Sequence, residues 1–175
     1  TNPMRIISVK ESTIPLGSDK ENAAISFQAM TASAVVVEIE TSRGRFKGLG
    51  FSSYGRYGHG GLLQERFIPR LLNMTDEIIG ETSIQQMANV WDVLMTNEKE
   101  GGHGERSGAV GVLETAIWDA VAKSEDLPLW ALLERDVGHS GSNGLPAGKT
   151  AIYASGGHYR SGSSDAAEVE EEAKQ

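Results

Sequence analysis

The chain contains no cysteine, which excludes disulfide staples and thiolate metal sites and leaves packing and hydrogen bonding to hold it together. Aromatic residues are scarce, at 6% of 175 residues, so any core has to be mostly aliphatic. No apolar run approaches the roughly 20 residues of a membrane span, and the N-terminus lacks the charged lead and apolar stretch of a secretory signal. A soluble, cytoplasmic protein is expected. Positive charge is also short. Sixteen Lys and Arg against 24 Asp and Glu give a formal net charge of −8, which argues against nucleic acid or an anionic membrane as partner. The acid is concentrated near the end, where Asp165, Glu168, Glu170, Glu171 and Glu172 face only Lys174.

Glycine is abundant, with 21 residues, so loops are prominent; a hydrophobic content of 39% is still enough to bury a core. In Met4 to Thr13 apolar and polar residues alternate as in a strand, and Pro15 and Gly17 end it. Ser18 to Thr31 reads as a long polar connection. Ala34 to Glu40, with its run of β-branched residues, and Phe46 to Phe51 form a hairpin about Ser42, Arg43 and Gly44, which completes a three-stranded antiparallel meander. Leu62 to Leu72 has Leu63, Phe67 and Leu71 at helical spacing, and Pro69 is expected to bend or loosen its end. Ser83 and Gln86 read as a capping box, opening a helix whose stripe is Ile84, Met87, Trp91, Leu94 and Met95; Trp91 is expected in the core. A third helix is predicted from about Ser107 to Lys123, and a short fourth one begins at Pro128. Three or four helices on one face of the meander make an α+β domain ending near Arg135. Val137 to Gly148 then behaves as a linker, Thr150 to Ser155 as a single strand, and the acidic end as the start of a helix.

Two loops stand out. Ser52 to Gly61 sets Tyr54, Arg56, Tyr57 and His59 among glycines after a strand and before a helix, a composition suited to a small anionic ligand. It fails the glycine patterns of nucleotide sites, because Gly48 and Gly50 are followed by Ser53 and no Gly-Lys-Ser/Thr is present. The second loop, Glu98 to Arg106, crowds charge and glycine ahead of a buried helix, and can present Lys99, His103, Glu105 or Arg106. Against these readings, loop lysines usually face solvent, and Arg56 and Tyr57 can equally pack their own loop. His103 and Glu105 at i, i+2, with His59 elsewhere, lack the helical spacing of a zinc site. Asp119 is expected to anchor its helix to neighbouring backbone.

The order of these elements, together with four local runs, resembles the mandelate-racemase branch of the enolase superfamily, and within it the D-tartrate dehydratase-like acid-sugar dehydratases. The runs are GRYGHGG at Gly55 to Gly61, ERF at Glu65 to Phe67, NEKEGGHGERS at Asn97 to Ser107 and AIWDAVAK at Ala116 to Lys123; a strand ending YASGG at Tyr153 to Gly157 follows. Ser53-Tyr54, where an asparagine-containing pair is usual, and His59, where glutamine is usual, depart from the pattern. The resemblance implies that 1–136 form an α+β capping domain, 137–149 a linker and 150–175 the first strand and first helix start of a truncated (β/α)₈ barrel. It implies a lyase that removes the proton α to a carboxylate of an acid sugar and eliminates the β-hydroxide. Mg²⁺ would neutralise the developing charge. The catalytic and metal-ligating residues would lie on barrel strands outside these 175 residues. The substrate would be a dicarboxylate held by Lys99 at its distal carboxylate, with Arg56, Tyr57 and Tyr54 closing over it, and the enzyme is expected to be a homo-oligomer. A racemase or cycloisomerase of the same superfamily, and a non-catalytic lid or oligomerisation fragment, are the competing readings.

Overall fold

Three runs, two of them rich in β-branched residues, form strands in the computed structural model of the chain, which describes residues 2–21, 24–52, 57–99, 104–138, 151–153 and 159–160 together with Glu170 and Lys174. Strands β1 (Met4–Pro15), β3 (Thr31–Thr41) and β4 (Gly44–Ser52) make an antiparallel sheet in the order β1-β3-β4, the meander expected from the sequence. The β3–β4 ladder runs from Thr41 opposite Gly44, whose φ of 122° closes the turn, to Ser33 opposite Ser52. Val35, Val37 and Ile39 point into the core, while Val36, Glu38 and Glu40 between them are less buried. That is the period of two that a one-sided sheet requires.

Between the meander and Gly138, helix follows in four runs among the described residues. The first is continuous from Gly60 to Leu72: α1 (Gly60–Leu62), a π turn (Leu63–Phe67) and α2 (Ile68–Leu72). Leu63, Phe67 and Leu71 are fully buried, as their spacing predicts. The disturbance expected at the end of this helix lies ahead of Pro69 instead. Pro69 occupies the first turn of α2, and the preceding turn is widened, so that the Ile68 N–H reaches back to the Leu63 carbonyl. A wider turn makes room for the proline ring next to the carbonyl four residues back, which a regular turn would clash with.

Helix α3 (Ser83–Leu94) corrects the sequence reading at its cap and on its face. The N-cap is Thr82, whose side chain accepts from the Gln85 N–H at 3.3 Å, while Gln85 Oε1 accepts from the Glu81 N–H at 2.8 Å. Ser83 and Gln86 are buried instead. Gln86 Nε2 donates to the carbonyls of Asn2 at 2.7 Å and Ile78 at 3.2 Å, fixing the N-terminus beside the segment that bridges Met4 to Ile78. The core stripe is therefore Met87, Val90 and Leu94. Trp91, expected inside, is 43% exposed, and Ile84 also faces outward.

Helix α4 (Glu105–Ser124) packs on β3 and β4 with one side and on α3 and α5 (Leu129–Val137) with others, so it is apolar around much of its circumference. Its approach to β4 is very close. A Cβ at Gly48 would overlap the Ala116 carbonyl oxygen, and one at Gly50 would overlap that of Val112 and sit 3.0 Å from the Ala116 nitrogen. As β4 advances from Gly48 to Gly50, its neighbours on α4 step back from Ala120 to Val112. Strand and helix therefore run in opposite senses. Asp119 Oδ2 accepts from the Leu49 N–H at 2.8 Å, and Lys123 Nζ donates to the Lys47 carbonyl at 3.1 Å, so α4 satisfies edge groups of β4. The expected role of Asp119 is what the structure shows.

Helix α5 is tied back to α3. Asp136 Oδ2 accepts from both the backbone N–H of Ser83, at 2.7 Å, and its hydroxyl, while Arg135 reaches Asp136 at 2.7 Å and Glu125 at 3.1 Å. The chain divides into two compact units, 1–14 with 31–138, and 15–30 with 139–175. In the second unit, the connection read as strandless contains β2 (Lys20–Glu21), paired antiparallel with β5 (Tyr159–Arg160). Of the strand expected over Thr150 to Ser155, Ala151, Ile152 and Tyr153 are described, and they are exposed and outside any ladder. Without a neighbouring strand, extended backbone has nothing to pair with. The remainder of that segment, residues 139–149 of the linker and most of the acidic end lie outside the described residues.

Candidate functional site

The opposed directions of β4 and α4 bring the end of β4 at Ser52 and the start of α4 at Glu105 to the same end of the sheet and helix layer. The two loops singled out in the sequence leave from these two points. The first returns at Tyr57 to Gly60, and a polar seat receives it. The Gly58 N–H donates to Thr31 Oγ1 at 2.8 Å and the His59 N–H to Ser33 Oγ at 2.7 Å. Ser33, itself opposite Ser52, donates to Glu11 Oε1 at 3.0 Å, and Thr13 and Gln64 donate to the same carboxylate at 2.8 and 2.7 Å. The close backbone approach permitted by glycine here is to the protein itself: a Cβ on Gly60 would lie 2.6 Å from Thr13 Oγ1. Tyr57, just before this seat, is 55% exposed. Tyr54 and Arg56 lie outside the described residues.

The second loop is reached through a turn after α3. The Thr96 N–H donates to the Val93 carbonyl and the Glu98 N–H to that of Met95, while Asn97 takes a φ of 59°, a left-handed conformation that asparagine accepts more readily than most residues. The turn sends successive side chains opposite ways. Glu98 points inward, with 7% of its side chain exposed, and Lys99 points to solvent. Around Glu98 stand three guanidinium groups. Arg70 Nη2 is 2.9 Å and Arg66 Nη1 3.5 Å from Oε1, and Arg106 Nη1 is 3.3 Å from Oε2. Burial pushes the Glu98 carboxyl up, but hydrogen bonds from Arg70 and Arg106 and the charge of Arg66 outweigh it, holding the group below its ordinary range. Arg70 also donates to the Leu94 carbonyl, and Arg66 and Arg70 lie 5.9 and 5.3 Å from the Phe67 ring centre. The sequence reading missed this cluster. Its available signal was the i, i+4 spacing of Arg66 and Arg70, which places both on one helical face.

His103 lies outside the described residues, Glu105 is exposed in the first turn of α4, and His59 is 3% exposed in its seat. Among the described residues no group of three or more His, Asp or Glu is placed to hold a metal ion. A cleft of about 640 Å³ runs between the 73–79 segment and α3, and neither Tyr57 nor Lys99 lines it.

A family model, mandelate racemase / muconate lactonizing enzyme, N-terminal domain, matches residues 16–134. The chain belongs to this family. The mandelate racemase / muconate lactonizing enzyme N-terminal domain caps the active site in the enolase superfamily, whose members are generally Mg²⁺-using enzymes. The matched span takes in β3, β4 and helices α1 to α4, and reaches into α5. No helix among the described residues is long and apolar enough to cross a membrane.

Proposed function

We propose that this capping domain serves a Mg²⁺-dependent dehydratase that takes a dicarboxylic acid sugar of the D-tartrate type, with Lys99 holding the carboxylate remote from the reacting carbon. The observation that carries the reading is the placement of Lys99: exposed, one residue beyond an anchored Glu98, on the loop that leads to the same end of the layer as Ser52 and Tyr57. A compact, strongly hydrated ammonium suits a carboxylate at the solvent edge of a closing site. The N-terminal end of the 20-residue helix α4 adds a dipole of the right sign for an anion. Tyr57, with Tyr54 and Arg56 from the same loop, closes over the substrate. The described residues do not form a metal site, so Mg²⁺ enters this reading through the family, and its ligands are assigned to a barrel. The enzyme acts as a homo-oligomer in the cytoplasm.

The test is Lys99→Ala in the complete enzyme, assayed with D-tartrate and Mg²⁺. Loss of a charge-assisted contact is expected to lower kcat/KM by about one to two decades, largely through KM. Unaltered kinetics with the dicarboxylate overturn the reading. The family description also names a racemase and a lactonizing enzyme, so the product decides the reaction class: loss of water supports the dehydratase, whereas inversion at the α carbon without loss of water supports a racemase.

A further inference from the structure

We propose that Glu98 is the positioning residue for Lys99: its carboxylate, gripped by Arg66, Arg70 and Arg106, fixes the backbone from which the lysine reaches the substrate and so sets preference for a second carboxylate. The inference rests on the reading of Lys99 given above. Three elements meet at Glu98. Arg66 and Arg70 come from the helical run ending at Leu72, Arg70 also binds the carbonyl of Leu94 in the last turn of α3, and Arg106 stands in the first turn of α4. The grip uses both carboxylate oxygens, and the side chain it holds is almost wholly buried. Only one peptide separates this buried anchor from an exposed side chain, so the Lys99 Cα has little freedom of its own.

A long lysine side chain on a loose turn loses conformational freedom when it binds a carboxylate; a turn already fixed leaves only the side chain to order. The arrangement of charge serves the same end. Without the Glu98 carboxylate the three guanidinium groups would lose the anion they share, and their mutual repulsion would loosen the turn that carries Lys99. Glu98 touches no substrate in this scheme; it acts through its neighbour.

Glu98→Gln keeps the size and two hydrogen-bonding atoms of the side chain but removes the charge. In the complete enzyme the ratio of kcat/KM for a dicarboxylate acid sugar to that for its monocarboxylate counterpart is expected to fall about 5- to 30-fold, mainly through KM. Lys99→Ala should lower the same ratio, and the double variant E98Q/K99A should fall no further than K99A alone, because the two residues act in series. A ratio unchanged in E98Q but lowered in K99A overturns the positioning role and leaves the Lys99 reading standing. Equal losses on both substrates in E98Q mean that Glu98 supports the fold only, and again overturn it. A ratio that neither variant moves removes the Lys99 reading and this inference with it. Arg106→Lys, which retains charge but changes the grip on Oε2, provides the same readout if E98Q does not fold.

Discussion

Two glycines show how differently one residue type can be used. At Gly48 an added methyl group meets the Ala116 carbonyl oxygen, which is backbone and cannot swing aside, whereas at Gly111, in the interior of α4, nothing lies within 4 Å. Gly48→Ala should therefore force strand and helix apart and destabilise the protein by roughly 1 to 3 kcal/mol or more. Gly111→Ala should stabilise it by about 0.4 to 1 kcal/mol, because it removes freedom from the unfolded chain and improves helix propensity. Urea denaturation checks both: the midpoints should move in opposite directions, with similar slopes. At this scale the sequence was least legible. Val90, Gln86 and Ser83 complete the buried face of α3, and Trp91 does not, because it lies about 100° around the helix from Val90, on the side turned away from the core. Hydropathy alone does not distinguish a stripe ending in Trp91 from one ending in Val90.

Between elements, two carboxylates away from the candidate site, Asp119 and Asp136, each fasten one element to another. Asp119 accepts from an edge N–H of β4 and from Lys123, and Asp119→Ala should cost about 1 to 2 kcal/mol, since Leu49 loses its acceptor. Lys123→Ala, removing an exposed pair, should cost less than about 1 kcal/mol by the same denaturation measurement. Asp136 joins α5 to α3. The hydrogen bond from Arg135, opposed by partial burial and reinforced by the hydroxyl and N–H of Ser83, holds its carboxyl near 2, against an ordinary 3.8. A pKa lowered by folding contributes stability that is complete above 3.8 and is lost as pH falls through about 2. The contribution is roughly 1 to 2 kcal/mol, given the screening by solvent at this surface. Stability measured from pH 6 to pH 2 should therefore fall less steeply in Asp136→Asn than in the parent, while the variant is less stable at pH 6. Equal slopes would mean that Asp136 does not titrate as this geometry requires. The elements themselves were readable, because each has a strong period: two in Ala34 to Glu40, near 3.6 in the helices. The π turn before Pro69 was not, since a proline announces a disturbance without saying on which side it is absorbed.

For the molecule as a whole, the α+β layering was legible from the order of strands and helices, and so was Lys99 as an exposed cation on a charged loop. The seat formed by Glu11, Thr13, Ser33 and Gln64 was not, since its members come from three separate stretches of chain that only the folded sheet and helix bring together. The same holds for the grip on Glu98. The seam of β4 against α4 also bears on how the molecule opens. With backbone pressed against backbone at Gly48 and Gly50, no local fluctuation can admit water between them without separating the layers entirely. Amide protons of Val112 to Val121 should thus exchange with deuterium only through global unfolding, at a rate that tracks total stability as urea is added. Those of Thr96 and Glu98, held in a turn fastened by the ion pairs of Glu98 and not by the seam, should exchange through sub-global openings that depend less on urea. The end of the layer that carries Lys99 opens only by releasing the ion pairs of Glu98, a step that leaves the seam behind it shut.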